Sequence, residues 1–315
     1  MHHCILRTHK TVLMLIPHLV CHIYYEQIQT TLQLLHIRIY ICTCTDRNNL
    51  YGTIPDEIGT MKSLVEIALS GNSLWGTIPS NFGDLFRLQY FRINSNSLRG
   101  SIPDSFSNLN KLKHLSARHN ELAGTIPTGI LHLSTMEYLD LSRNELTGSM
   151  PDVVGLDRME YLALFGNHLD GTIPESVTSL SRLEVLVLAD NSFTGTIPRD
   201  IGAMEKLVYV TFQENELSGP LPESIGQLEF LEYLNVGLNG LTGTIPTEFG
   251  TLTSLQSAFL DHNRFVGSIP TELGTCVGLT ELYLTDNPIS GTVPSTVLDM
   301  SMLRKYGTIL RSIMD

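Results

Sequence analysis

The sequence predicts an α/β-type repeat solenoid, and three observations predict it. The first is a frame, Asn-x-apolar-x-Gly-x-apolar-Pro, that recurs from residue 48 to residue 294. The second is its step. Asn48, Asn72, Asn96, Asn120, Asn144, Asn167, Asn191, Asn215, Asn239, Asn263 and Asn287 lie 24 residues apart, except that Asn144 and Asn167 are 23 apart. The third is an apolar pattern counted back from each Asn, at −11, −8, −5 and −3, as in Leu228, Leu231, Leu234 and Val236 before Asn239. Self-similarity at a fixed period of roughly 20–50 residues marks an architecture that grows by stacking. One elongated domain therefore accommodates all 315 residues.

Each unit is justified in order along its own length. The −5 and −3 residues have strand period and point into the core, while −6, −4 and −2 point outward. Each unit thus supplies one very short strand, parallel to its neighbours at about 4.8 Å, because a full turn of chain separates successive strands. The Asn is the polar residue admitted inside the turn, where its amide satisfies backbone groups of its own and the adjacent unit. Eleven such amides form a structural ladder. The Gly four places on, as at Gly243, suits a positive φ or a close backbone approach. The Pro seven places on fixes φ and ends pairing on that side. A further apolar anchor follows three residues later, as at Phe82, Ile130 and Phe249. The short unit loses its residue between Pro151 and Leu156, which places the irregularity in the return segment and keeps the strand register.

The ends depart from the frame. Residues 1–35 read as a leader, with basic residues before a short apolar run; a secretory signal and a poorly ordered segment are both open. Residues 36–60 form an amino-terminal cap and first degenerate repeat, with a period-two strand at Ile37–Ile41. Residues 61–294 are the regular repeats. Residues 295–315 carry a degraded copy in which Met300, Leu303 and Tyr306 take the −11, −8 and −5 places. No apolar run reaches the ~20 residues of a membrane span. Five cysteines, Cys4, Cys21, Cys42, Cys44 and Cys276, show no metal-ligand spacing. No Asn-x-Ser/Thr acceptor occurs, which favours an intracellular or unglycosylated fate.

A formal net charge of −12 argues against nucleic acid as a partner. Catalysis is not expected either: His114, His119, His168 and His262 fall on separate units, and none has a nucleophile and an orienting acid at consistent offsets. No cofactor and no metal is implied.

Function is expected on the outward strand positions. Stacking them gives an aromatic column with Tyr90, Tyr138, Tyr161, Tyr209 and Tyr233 at −6, joined by His114. Arg92, Arg118, His119 and Arg143 group beside its first half, and Glu137, Glu160, Glu184 and Glu232 form the next column out. Read functionally, this is a face that binds a protein or peptide ligand, with tyrosines as rigid anchors and arginines selecting an acidic partner. Read structurally, tyrosine is simply favoured on sheet surfaces.

The unit Leu-x-x-Leu-x-x-Leu-x-Leu-x-x-Asn-x-Leu-x-Gly-x-Ile-Pro resembles the plant-type leucine-rich repeat over about residues 48–310. Gly243-Thr-Ile-Pro-Thr-Glu248 resembles the arrays of plant and algal receptor-like proteins and receptor-like kinases. The resemblance implies a curved, right-handed superhelix with a concave parallel β-sheet and a convex side of loops, 3₁₀ segments and short strands. It also implies non-catalytic, receptor-like ligand sensing at the concave face and an extracellular or cell-surface location. The alternatives are a free-standing structural or inhibitory scaffold with no signalling role and a cytoplasmic location. Two features depart from the family: Trp75 lies inside the second copy rather than in a cap, and no closing cysteine pair follows.

Overall fold

The computed structural model describes residues 4–7, 12–15, 38–40 and 50–300. Asn48, Cys21, Cys42, Cys44, most of the expected leader and the expected strand near Tyr306 lie outside the described residues. The chain divides into two compact units, Met1–Thr147 and Gly148–Asp315. The division falls within the one 23-residue step.

In the first unit, Cys4–Arg7 and Val12–Leu15 pair antiparallel, inside the segment read from sequence as a leader. The principal sheet holds Glu66–Ala68, Tyr90–Arg92, His114–Ser116 and Tyr138–Asp140, all parallel and in straight register. Arg38–Tyr40 runs parallel beside Glu66–Ala68, where the sequence placed a covering strand. A second parallel sheet is made from the residues just after each Asn: Tyr51–Gly52, Ser73–Gly76, Ser97–Gly100, Glu121–Gly124 and Glu145–Ser149. In the second unit, the principal strands are Tyr161–Ala163, Val185–Val187, Tyr209–Thr211, Tyr233–Asn235, Ser257–Phe259 and Glu281–Tyr283. Its other side keeps one strand pair, Ser218–Pro220 with Gly240–Thr242, and a Thr172–Thr194 bridge.

In most frames the Pro leads into a 3₁₀ turn. Its φ near −65° is already helical, and its carbonyl accepts the first turn bond, as from Phe82 N to Pro79 O at 3.1 Å. The turn's central apolar residue is buried, and Phe82, Phe91 and Phe106 meet edge-on at 5.9 and 5.5 Å. Pro151–Leu156, the shortened segment, forms no such turn and passes through Gly155 at φ 72°. After Pro294 the turn becomes a short α-helix, Ser295–Leu298.

The asparagines tie neighbouring repeats together. Asn96 Oδ1 accepts Leu74 N–H at 3.0 Å, and Nδ2 donates to Leu69 O of the preceding repeat and to its own Ile93 O, both at 3.0 Å. Asn120 and Asn144 repeat this in the first unit. Asn191, Asn215, Asn239, Asn263 and Asn287 repeat it in the second. Asn72 Oδ1 takes Leu50 N–H, and Asn167 Nδ2 holds Leu164 O at 2.9 Å. A second set of rungs on the 3₁₀ side had no signature in the frame. Ser105 Oγ donates to Ser80 O, Ser224 Oγ to Arg199 O and Thr296 Oγ1 to Thr271 O, at 2.5–2.8 Å. Gly195 shows what the frame's glycine does: φ is 76°, and a Cβ there would sit 2.8 Å from Thr172 Cγ2.

Candidate functional site

Straight register puts the −6 residues of each unit in a row on the exposed side of its principal sheet. In the first unit that row is Glu66, Tyr90, His114 and Tyr138. Tyr90 and His114 are tilted at 6.4 Å, whereas His114 and Tyr138 stack at 4.1 Å and 7°. Burial and then the nearby Arg92 charge lower the His114 pKa to about 4, so the ring is neutral near pH 7.

Arg92 lies beside the first ring of the row. Its guanidinium lies 5.1 Å from the Tyr90 ring centre and reaches diagonally to Glu66, Nη1 to Oε1 at 2.5 Å. Glu66 is buried, so this ion pair already engages the charge that was expected to select an acidic partner. Lys113 and Glu137 pair at 2.8 Å. Arg118 is exposed at the end of its strand, while His119 and Arg143 occupy left-handed backbone positions at φ 59° and 54°. The same place, one residue before the Asn, is left-handed in every repeat from Gly71 to Asp286.

Several of the −4 and −2 residues read as outward-facing are buried: Ser116, Asp140, Ser142, Thr211 and Asn235. Two of them bond locally: Asp140 Oδ1 accepts Ser142 N–H and Asn235 Oδ1 accepts Gly237 N–H, both at 3.0 Å, so these side chains cap the turn that follows each of them.

In the second unit, Val185 stands between Tyr161 and Tyr209 in the −6 row. Tyr209 and Tyr233 stack at 4.3 Å and 6°. The aromatic row then steps sideways to the −4 positions: Tyr233 meets Phe259 at 5.4 Å, and Phe259 stacks on Tyr283 at 4.7 Å. Phe259 and Tyr283 are therefore part of the row, and column reading missed them. The available signal was that a diagonal neighbour in a sheet still reaches an aromatic ring. Burial, the Tyr233 and Tyr161 charges and a Tyr233 hydrogen bond raise the Tyr209 pKa to about 12, so its hydroxyl stays protonated. At the strand ends His262 lies between two carboxylates, Nδ1 2.8 Å from Asp261 and Nε2 3.1 Å from Asp286.

Among the described residues, no group of three His, Cys, Asp or Glu side chains is arranged to hold a metal. Among them also, no helix is long and apolar enough to cross a membrane. Cys276 is a core thiol that donates to Phe249 O at 2.9 Å, and burial pushes its pKa up to about 11.

Leucine rich repeat family models match the chain over residues 62–122 and over 135–155, 182–204, 230–252 and 278–300. The chain is a leucine-rich repeat protein. Among curated proteins, none matches it. Solved leucine-rich repeat structures do. A TDR receptor is similar at 35% identity and TM-score 0.77, covering 81% of this chain and 44% of that one. The plant peptide hormone receptor RGFR1, solved in complex with RGF2, is similar at 34% identity and TM-score 0.72, over 82% of this chain and 45% of that one. A plant ice-binding protein is similar at 27% identity and TM-score 0.65, over 79% of this chain and 81% of that one. These leucine-rich repeats thus span less than half of each of the two receptor chains.

Proposed function

We propose that this leucine-rich repeat protein is a non-catalytic, extracellular binding module that holds a peptide or protein segment against its principal sheets. One observation carries the reading. Each unit presents a row of stacked aromatic rings on the open side of a parallel sheet, in a fold like that of the plant peptide hormone receptor RGFR1, solved in complex with RGF2. Rings already stacked on one another lose little freedom on binding and offer a large amphipathic surface. Tyr90, His114 and Tyr138 with Arg118, His119 and Arg143 make the first unit's candidate contacts. Tyr161, Tyr209 and Tyr233 with Phe259 and Tyr283 make the second's. The test is to pan a displayed peptide library on the purified chain. Recovered peptides should lose about tenfold in affinity against Tyr138→Ala or Tyr233→Ala. They should keep it against Trp75→Ala, which lies on the second sheet. Equal affinity for all three variants, or no enrichment, overturns the reading.

A free-standing, non-signalling role is favoured by a different observation: the ice-binding protein is matched over 81% of its own length. Exposed hydroxyls at Thr172, Thr196, Thr244, Ser268 and Thr292 recur at the frame's Gly-Thr place in the second unit. Parallel repeats set neighbouring ones, such as Thr244 and Ser268, about 4.8 Å apart, and Pro220 interrupts the series between Thr196 and Thr244. Under this reading, Thr196→Tyr with Thr244→Tyr abolishes inhibition of ice recrystallisation by the chain. An unmodified chain that leaves ice crystals to coarsen sinks it.

A further inference from the structure

We infer that the principal-sheet face of the second unit takes a cationic segment, a stretch of chain bearing Lys or Arg at alternate positions; this rests on the peptide-binding reading above. Charge distribution carries it. Across the seven residues from −7 to −1 of the six repeats after Gly148, there are eight carboxylates and neither a Lys nor an Arg. The same windows of the four repeats from Val65 to Arg143 hold three carboxylates and four Lys or Arg. Two of those first-unit pairs neutralise each other, Glu66 with Arg92 and Glu137 with Lys113. Among the described residues, these windows of the second unit hold no such pair, and His262 meets two of their carboxylates, one at each ring nitrogen.

The carboxylates flank the aromatic row rather than interrupt it. Glu184 and Glu232 are exposed at the start of their strands, Asp190 and Glu214 at the turn that ends them, and Tyr209, Tyr233 and Phe259 lie between. Because Tyr209 and Tyr233 are stacked face to face, their ring edges and hydroxyls are what they show to a partner. That geometry suits the methylene stem of Lys or Arg laid across the ring edges, with the charged head carried out to either carboxylate rim. The imidazole of His262 fills the gap between Asp261 and Asp286, with one carboxylate within hydrogen-bond distance of each ring nitrogen. Complementary charge of this kind sets partner choice and association rate more than total affinity. The choice is therefore opposite in sign to the acidic partner that the arginines of the first unit suggest from sequence.

The test uses the full chain and two fluorescein-labelled nonapeptides, one alternating Arg with Leu and the other alternating Glu with Leu, read by anisotropy. The Arg peptide binds and the Glu peptide does not, and binding weakens steeply with salt. The double variant Glu184→Gln with Glu232→Gln weakens the Arg peptide by about tenfold. The double variant Glu175→Gln with Glu223→Gln, which removes equal charge from the 3₁₀ turns, changes it less than about twofold. Equal weakening by both double variants overturns the site, since it reports only net charge. If neither nonapeptide binds but library peptides bind through Tyr233, the cationic preference falls and the peptide-binding reading stands. If no peptide of any kind binds, both fall.

Discussion

His114 lies flat on Tyr138, ring centres 4.1 Å apart and planes 7° from parallel, and burial in this stack holds its pKa near 4. An exposed histidine titrates at 6.5. Between the two values the unfolded chain binds a proton that the folded chain does not, so stability is full above about pH 6.5 and falls as the pH drops toward 4. His114→Phe keeps an aromatic ring in the row and removes the proton site. Urea unfolding at pH 7 and pH 5 should show a smaller loss of stability on acidification in His114→Phe than in the unmodified chain. Identical losses would show that His114 is not the source.

The asparagine ladder is expected to stabilise without shaping specificity. In Asn191→Leu, the Leu169 N–H loses its acceptor, and the Leu164 and Leu188 carbonyls lose a donor. The cost expected in urea unfolding is about 1–3 kcal/mol. Peptide affinity should not change. A midpoint equal to that of the unmodified chain would remove the ladder from the list of stabilising features.

Arg92 and Arg118 belong to one expected patch yet predict different outcomes. Arg92→Ala leaves the buried Glu66 carboxylate without its cation, so stability drops by about 1–3 kcal/mol. Arg92→Met combined with Glu66→Gln restores most of that. Arg118 is exposed, and Arg118→Ala stays within about 0.5 kcal/mol. Loss of binding in Arg118→Ala therefore reports a lost contact, whereas loss in Arg92→Ala must first be corrected for unfolding. Thermal melts of the four proteins separate the cases.

Leu238 occupies the left-handed position before Asn239, at φ 53°, and is 42% exposed. A branched side chain there costs about 1–2 kcal/mol of backbone energy, part of which glycine forfeits through unfolded-state entropy. Leu238→Gly should raise stability by up to about 1 kcal/mol, with Leu238→Asn in between. A lower melting temperature for the glycine variant would mean that Leu238 contributes packing beyond its exposure.

What the sequence made legible follows from what the period dictates. Leu234, Asn239, Gly243 and Pro246 are each the answer to a backbone or packing demand that recurs every turn, so residue type reveals position. The left-handed corner is the counterexample. Ser95, His119, Arg143, Glu214 and Leu238 all adopt it, because the bonds around the corner impose the conformation on any occupant, so no residue type marks it. The candidate face was legible as columns, since straight register aligns Tyr209 with Tyr233. It was not legible along diagonals. Arg92 reaches back to Glu66, and the aromatic row shifts from Tyr233 to Phe259, because neighbours two places off in register still touch when their side chains are long. The burial of Asp140 and Asn235 was not legible for a third reason: short polar side chains at a strand end bond to the backbone that follows them.

The hydrogen bonds of each asparagine also act as a ruler. Asn239 bonds to Leu217 N–H and Phe212 O, backbone groups 22 and 27 residues earlier that every repeat supplies regardless of its side chains. Excising residues 192–215 would bring Leu188 O to the place that Phe212 O holds now and leave Leu217 where it is. Removal of a whole turn therefore returns every amide an equivalent partner, while removal of part of the stretch between Leu217 and Asn239 shifts the amide against its partners. Tolerance to insertion and deletion in this chain thus comes in whole turns, with the asparagine spacing as its unit, and the return segment, where the 23-residue step lost its residue, is the place for smaller changes.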